Sequence, residues 1–112
     1  MGPRELQRIA LQFQEAVNLE ASELEAWLET EESRSVGWDP DGRGESVGHA
    51  SGRRIVRILR KPEHDLSDAD YRHMRKVVGY VHRHLAQRPA GDVTSTRWRY
   101  SLLNWGHDPL LG

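Results

Sequence analysis

No cysteine occurs among the 112 residues, which removes disulfide frameworks, thiolate zinc sites and cysteine nucleophiles together. Long apolar runs are missing as well. The opening stretch MGPRELQRIALQFQEAV lacks the apolar centre of a signal peptide, and no segment approaches the roughly 20 residues of a membrane span. A cytoplasmic chain with no membrane partner is expected, nucleoid-associated in a bacterium. Nor is there an internal repeat, a heptad series or a low-complexity tract beyond one glycine-containing segment.

What is present suits one small core under a strongly solvated surface: 37% hydrophobic residues, 29% charged residues and four Trp. At this length a single domain over residues 1–112 is expected, and two well-stabilised ones are not. The net charge of −1 conceals a dipole. Residues 1–50 hold four basic and eleven acidic side chains, a net of −7, whereas residues 51–112 hold twelve and six, a net of +6. Such asymmetry hints at a half that faces a polyanion, and the competing reading is internal pairing of acidic and basic helices.

Periodicity predicts an all-α fold, a compact single domain of four to five helices with a long Gly-containing loop between helices 2 and 3. Leu6, Ile9, Ala10, Phe13 and Val17 recur at three- and four-residue spacing, so the first helix has one core-facing side. Ser22 and Glu25 read as a capping box for a second, short helix carrying Leu24, Trp27 and Leu28, and the two helices read as a hairpin. Residues 31–50, with four Gly and one Pro, read as the loop, with a turn over Asp39-Pro40-Asp41-Gly42. Its Trp38 is expected to pin the loop to the body. A third helix is expected over residues 52–61, capped by Ser51. Ser67 with Asp70 opens the longest, amphipathic and basic, over 67–88. A last helix starts near Thr94 or Thr96 and ends by Gly106.

Three groups of residues carry candidate chemistry. On the long helix, Tyr71, Met74, Val77, Val78, Val81 and Leu85 share one face while Arg72, Arg75, Lys76 and Arg83 gather on the other, uninterrupted by acid between Asp70 and Asp92. Side chains so arrayed can reach successive phosphates, with Arg53, Arg54 and Arg57 extending the stripe; the alternative is a plain solvated face. The approach Gly48-His49-Ala50-Ser51-Gly52 reads as free backbone N–H groups at a helix start beside Arg53 and Arg54, a place for an anion or a simple N-cap. Arg97-Trp98-Arg99-Tyr100 alternates cation and ring, a pattern for stacking unpaired bases, although Trp98 and Trp105 share a stripe that suits the core. His82 and His84 lie two apart on a helix and cannot chelate one ion, so no metal and no cofactor is expected.

The strings GESVGHASGRRIV at 44–56, YRHMRKVVGYVHRHLAQRP at 71–89 and TRWRYSLLNWGHDP at 96–109 make the chain resemble DUF3140, a small bacterial and fungal family of unknown function, from about Leu24 to Pro109. Some members of that family are labelled DNA-binding. The resemblance therefore implies nucleic-acid binding and supplies no catalytic residue to transfer. The expected function is binding of DNA, with RNA or single strands left open, through Arg53, Arg54, Arg57, Arg72, Arg75, Lys76, Arg83, Arg97 and Arg99, mainly to phosphates and with weak sequence specificity. The rivals are a protein-interaction adaptor, in which the acidic half or the Trp38 loop meets a partner while the basic face balances charge or mediates homodimerisation, and a small enzyme centred on His107 and Asp108.

Overall fold

The computed structural model describes residues 1–40, 42 and 44–111. Among them are six α-helices, one 3-10 turn at Glu63–Asp65 and no strand. The helices are α1 (Pro3–Ala16), α2 (Ala21–Leu28), α3 (Glu31–Arg34), α4 (Val47–Leu59), α5 (Asp68–Leu85) and α6 (Arg97–Asn104).

The longest helix begins where the sequence signals it. Ser67 Oγ accepts from the Asp70 N–H at 3.1 Å, and Asp70 Oδ2 accepts from the Ser67 N–H at 3.1 Å. This reciprocal box satisfies two of the orphan donors of a helix start. Tyr71, Met74, Val77, Val78 and Val81 are buried and meet Ile9, Phe13 and Ala16 of α1 in one hydrophobic cluster. Each valine, with Met74, Ile9 and Phe13, contributes about 1.5–3 kcal/mol through area removed from water. α5 ends at Leu85, three residues short of the expected Arg88. The Trp98 indole N–H caps the His84 carbonyl at 2.7 Å, and the His84 ring returns a bond to the Trp98 carbonyl at 3.1 Å.

Other expectations are corrected. α1 lies along α5 and α2 along α4, so the first two helices form no hairpin. The joint between them is held from outside: Asn18 and Leu19 N–H both donate to the Gly106 carbonyl. The box at the start of α2 falls two residues early, with the Glu20 N–H donating to Glu23. Residues 31–50 are not one loop. Thr30 caps α3, accepting from the Ser33 N–H, and Ser46 caps α4, accepting from the His49 N–H at 3.1 Å. Gly48 and Gly52 therefore lie inside a helix, and the expected anion site at Ser51 does not exist as a helix start. In the turn over 39–42 the Gly42 N–H donates to the Asp39 carbonyl at 3.3 Å, while Asp41 lies outside the described residues.

Gly52 explains why α4 tolerates two glycines. A Cβ there would sit 2.6 Å from the Asn104 carbonyl and 2.7 Å from Leu28 Cδ2, so its absence lets α4 press against α2 and α6. The fully buried Asn104 ties the same corner together. Its Oδ1 accepts from Trp27 Nε1 at 2.7 Å and from Ser33 Oγ at 2.5 Å, and its Nδ2 donates to the Ser33 carbonyl at 3.0 Å.

A candidate nucleic-acid interface between α4 and α5

The nine cations expected at a site divide into two groups. Four are held by carboxylates. Arg53 forms two bonds to Glu45, at 2.8 and 2.5 Å. Arg54 reaches Asp70 at 3.4 Å, Arg75 is bonded to Glu5 of α1, and Arg99 makes a forked pair with Asp108 at 3.1 and 3.0 Å. With Arg60 on Glu25, three of the pairs join the acidic half to the basic half, so part of the charge dipole is spent internally. Arg57, Arg72, Lys76, Arg83 and Arg97 are exposed and meet no carboxylate among the described residues. Arg97 stands apart on α6.

Of the free cations of α4 and α5, Arg57, Lys76 and Arg83 border two adjoining depressions, and Arg72 lines neither. One is shallow, about 380 Å³, and is lined by Arg53, Arg54, Arg57, His73 and Lys76. The second is a cleft of about 360 Å³ between Trp38, Gly48, Lys76, Tyr80, Arg83 and Trp105. Val47 and Lys76 belong to both. No carboxylate lines either one among the described residues. Arg72 lies one turn before Lys76 on the same helix face. Arg83 folds back over Gly79, where an added Cβ would meet its Nη1 at 2.9 Å.

Beneath the cations runs a column of rings. His73 and Trp105 lie 6.3 Å apart at 11°, Trp105 and Tyr80 4.2 Å at 13°, Tyr80 and His84 5.1 Å at 16°, and His84 and Trp98 6.0 Å at 14°. Arg88 closes the far end, 5.5 Å over Trp98, a cation–π contact. Burial first, and the charges of Arg54 and Lys76 after it, press His73 down to about 4. His73 is thus neutral at pH 7 and shares a 2.9 Å hydrogen bond with the buried Ser51 hydroxyl. Burial also lowers His84. A like effect raises Tyr80, against the opposing hydrogen bond from Ser101.

Asp70 anchors the other end of this face. Its buried carboxylate is lowered to about 2, first by the Lys61 ammonium at 2.8 Å and then by the Ser67 backbone and hydroxyl. Glu45 is lowered to about 2 as well, by Arg53 first and by His49 beside it. His49 in turn bridges Glu45 at 2.5 Å and the Leu28 carbonyl at 2.7 Å. Both acids orient the arginines they hold.

Trp38 does not pin its loop: 72% of it is exposed. Among the described residues its hydrogen bond is through the backbone, the carbonyl accepting from the Val47 N–H at 2.8 Å. His107 and Asp108, the centre of the small-enzyme reading, clasp the C-terminal segment to the end of α1. His107 Nδ1 donates to the Ala16 carbonyl at 2.6 Å, the Asp108 N–H donates to Asn18 Oδ1 at 2.7 Å, and the Asp108 carboxylate takes Arg99 and the Leu110 N–H. Asp92 bonds Thr94 instead of joining them. No group of three metal-ligating side chains is found among the described residues, and none of their helices is long and apolar enough to cross a membrane.

Periodicity found the basic stripe of α5 and missed Trp38, Tyr80, His73 and Trp105 as its neighbours. The available signal was the Gly48/Gly52 pair, one turn apart, which marks a helix face approached closely by another element. No curated protein and no solved structure matches the chain. The family described as protein of unknown function, DUF3140, matches residues 12–103, starting earlier than the resembling strings and ending within α6. With 92 of 112 residues inside that match, the chain belongs to the DUF3140 family.

Proposed function

We propose that the protein binds nucleic acid, DNA in the first instance, through its phosphates and with weak sequence preference. One observation carries the reading: two adjoining depressions bordered by Arg57, Lys76 and Arg83, with Arg53 and Arg54 held beside them, contain no carboxylate among the described residues that line them. Unpaired cations clustered away from acid release counterions when they meet a polyanion. Contacts between such cations and phosphates position a nucleic acid more than they specify its sequence. Arg75, Arg97 and Arg99 drop out of the contact set, since Glu5 and Asp108 occupy two of them and the third stands apart.

The exposure of Trp38 supports a second reading, a protein-interaction adaptor. Yet Leu11, Leu110, Leu111 and Met1, the other exposed large apolar side chains, do not border its cleft, so no apolar patch extends from it.

Labelled duplex DNA, single-stranded DNA and RNA titrated at about 50 and 200 mM salt provide the test. With Arg57, Arg72, Lys76 and Arg83 each neutralising one phosphate, affinity should fall by about 50- to 150-fold between the two salts. Lys76→Glu with Arg83→Glu should abolish binding. Absence of binding at the lower salt, or variants that bind like the parent, would refute the proposal.

A further inference from the structure

The cleft under Trp38 has features that phosphate binding leaves unused. Tyr80 has both ring faces taken, by Trp105 and by His84, and Trp105 is sandwiched between Tyr80 and His73. Both therefore wall the cleft with their edges. Trp38 stacks on no ring among the described residues and stands 72% exposed at the lip, so it carries a free aromatic face.

At the cleft wall the Trp105 indole Nε1–H lies against Gly48, where an added Cβ would come within 2.9 Å of it. It finds no acceptor among the described residues, and it is not sealed from solvent. Gly48, having no side chain, leaves room beside this donor at the cleft wall. Lys76 and Arg83 border the same volume and have no acid partner among the described residues. The cleft thus offers a free ring face, one unused hydrogen-bond donor and two cations within about 360 Å³, a size in the range of small-ligand sites.

We infer that this cleft seats one unstacked nucleobase of a single-stranded nucleic acid, which stacks on Trp38, accepts from Trp105 Nε1–H and carries its flanking phosphates to Lys76 and Arg83. The chemistry selects this occupant. A planar ring suits the free indole face, and every base has an edge acceptor for one N–H, so the seat is tolerant of sequence. The anionic backbone matches a rim with cations and no carboxylate, which an acidic or neutral peptide would match only in charge or only in shape. A base inside a duplex has both faces stacked and cannot enter without being flipped out, at a cost of a few kcal/mol. The inference rests on the phosphate reading above and adds the strand form.

The test compares three labelled 12-mers at about 50 mM salt: oligo(dT), an abasic strand with the same phosphates, and the matching duplex. Oligo(dT) should bind about tenfold more tightly than the abasic strand, within the range one base–aromatic stack spans, and should quench tryptophan emission. Trp38→Ala removes an exposed ring and leaves the core intact. It should lower oligo(dT) affinity to the abasic level, abolish the quenching and leave abasic binding unchanged. Equal binding of oligo(dT) and the abasic strand, or an oligo(dT) preference that Trp38→Ala leaves in place, would overturn the base seat while the phosphate reading stands. If none of the three binds, both readings fall.

Discussion

Replacing Asn104 with Leu, a side chain of similar size, should cost about 3 kcal/mol, and the figure follows from three bonds at one buried corner. The Trp27 indole is half-buried and can recover water for its Nε1–H. Ser33 is 0% exposed, so its hydroxyl and its carbonyl lose Asn104 with no replacement from solvent. A stranded buried polar group costs about 1–3 kcal/mol. Two such groups give about 2–6 kcal/mol, which added apolar contact from Leu offsets by about 1. For a domain this size a loss of 3 kcal/mol lowers the melting temperature by roughly 10 °C. Thermal and urea unfolding followed by circular dichroism measure it. A double variant, Ser33→Ala with Asn104→Leu, removes one stranded group and should be less destabilised than the two single losses added together, by about 1 kcal/mol. A melting temperature for Asn104→Leu within about 2 °C of the parent, or strict additivity in the double variant, would refute the account of Asn104 as the tie between α2, α3 and α6.

Two glycines inside helices should respond with opposite signs. Gly79→Ala needs only the tip of Arg83 to move and gains about 0.5–1 kcal/mol of helix propensity, whereas Gly52→Ala meets the Asn104 carbonyl and Leu28 and should lose about 2 kcal/mol or more; paired urea midpoints decide it. Acid should weaken the fold in two successive windows. His73 is held from 6.5 down to about 4, so the unfolded chain takes a proton the folded one refuses, and stability, full above pH 6.5, declines toward pH 4. His73→Gln should flatten much of that slope, with His84 responsible for the remainder; an unchanged slope would contradict it. Asp70, held at about 2 against an ordinary 3.8, keeps its contribution above pH 4 and loses it as pH falls to 2, a decline in the urea midpoints that Asp70→Asn should reduce, with Glu45 carrying part of the remainder.

Several local signals were legible, although the capping box of α2 fell two residues from its expected place and the caps at Thr30 and Ser46 were passed over. The Ser67/Asp70 box, the core stripe of α5 and the Thr96 start of α6 are all set within a turn or two of chain. The start of α4 was misread because Gly48 and Gly52 look like loop residues unless α6 is known to lie against them. The basic stripe could be drawn from sequence, but which arginines remain free could not. Arg75 is captured by Glu5, 70 residues away, and no spacing rule reports a partner on another helix. Trp38 was expected to be inside and Tyr80 was not singled out, because a ring's burial depends on which surface its segment crosses.

By itself the sequence determined the helical class, the phase of each long helix and the concentration of positive charge in the second half, because hydrophobic period and charge are properties of the chain read in order. Tertiary packing alone decided which cations are spent in pairs, and that the two depressions bordered by α4 and α5 are lined by no carboxylate among the described residues. It also stacked five rings beside them and left Trp38 outside the stack. Those outcomes depend on distances between residues far apart in the chain, and such distances exist only once the helices are packed.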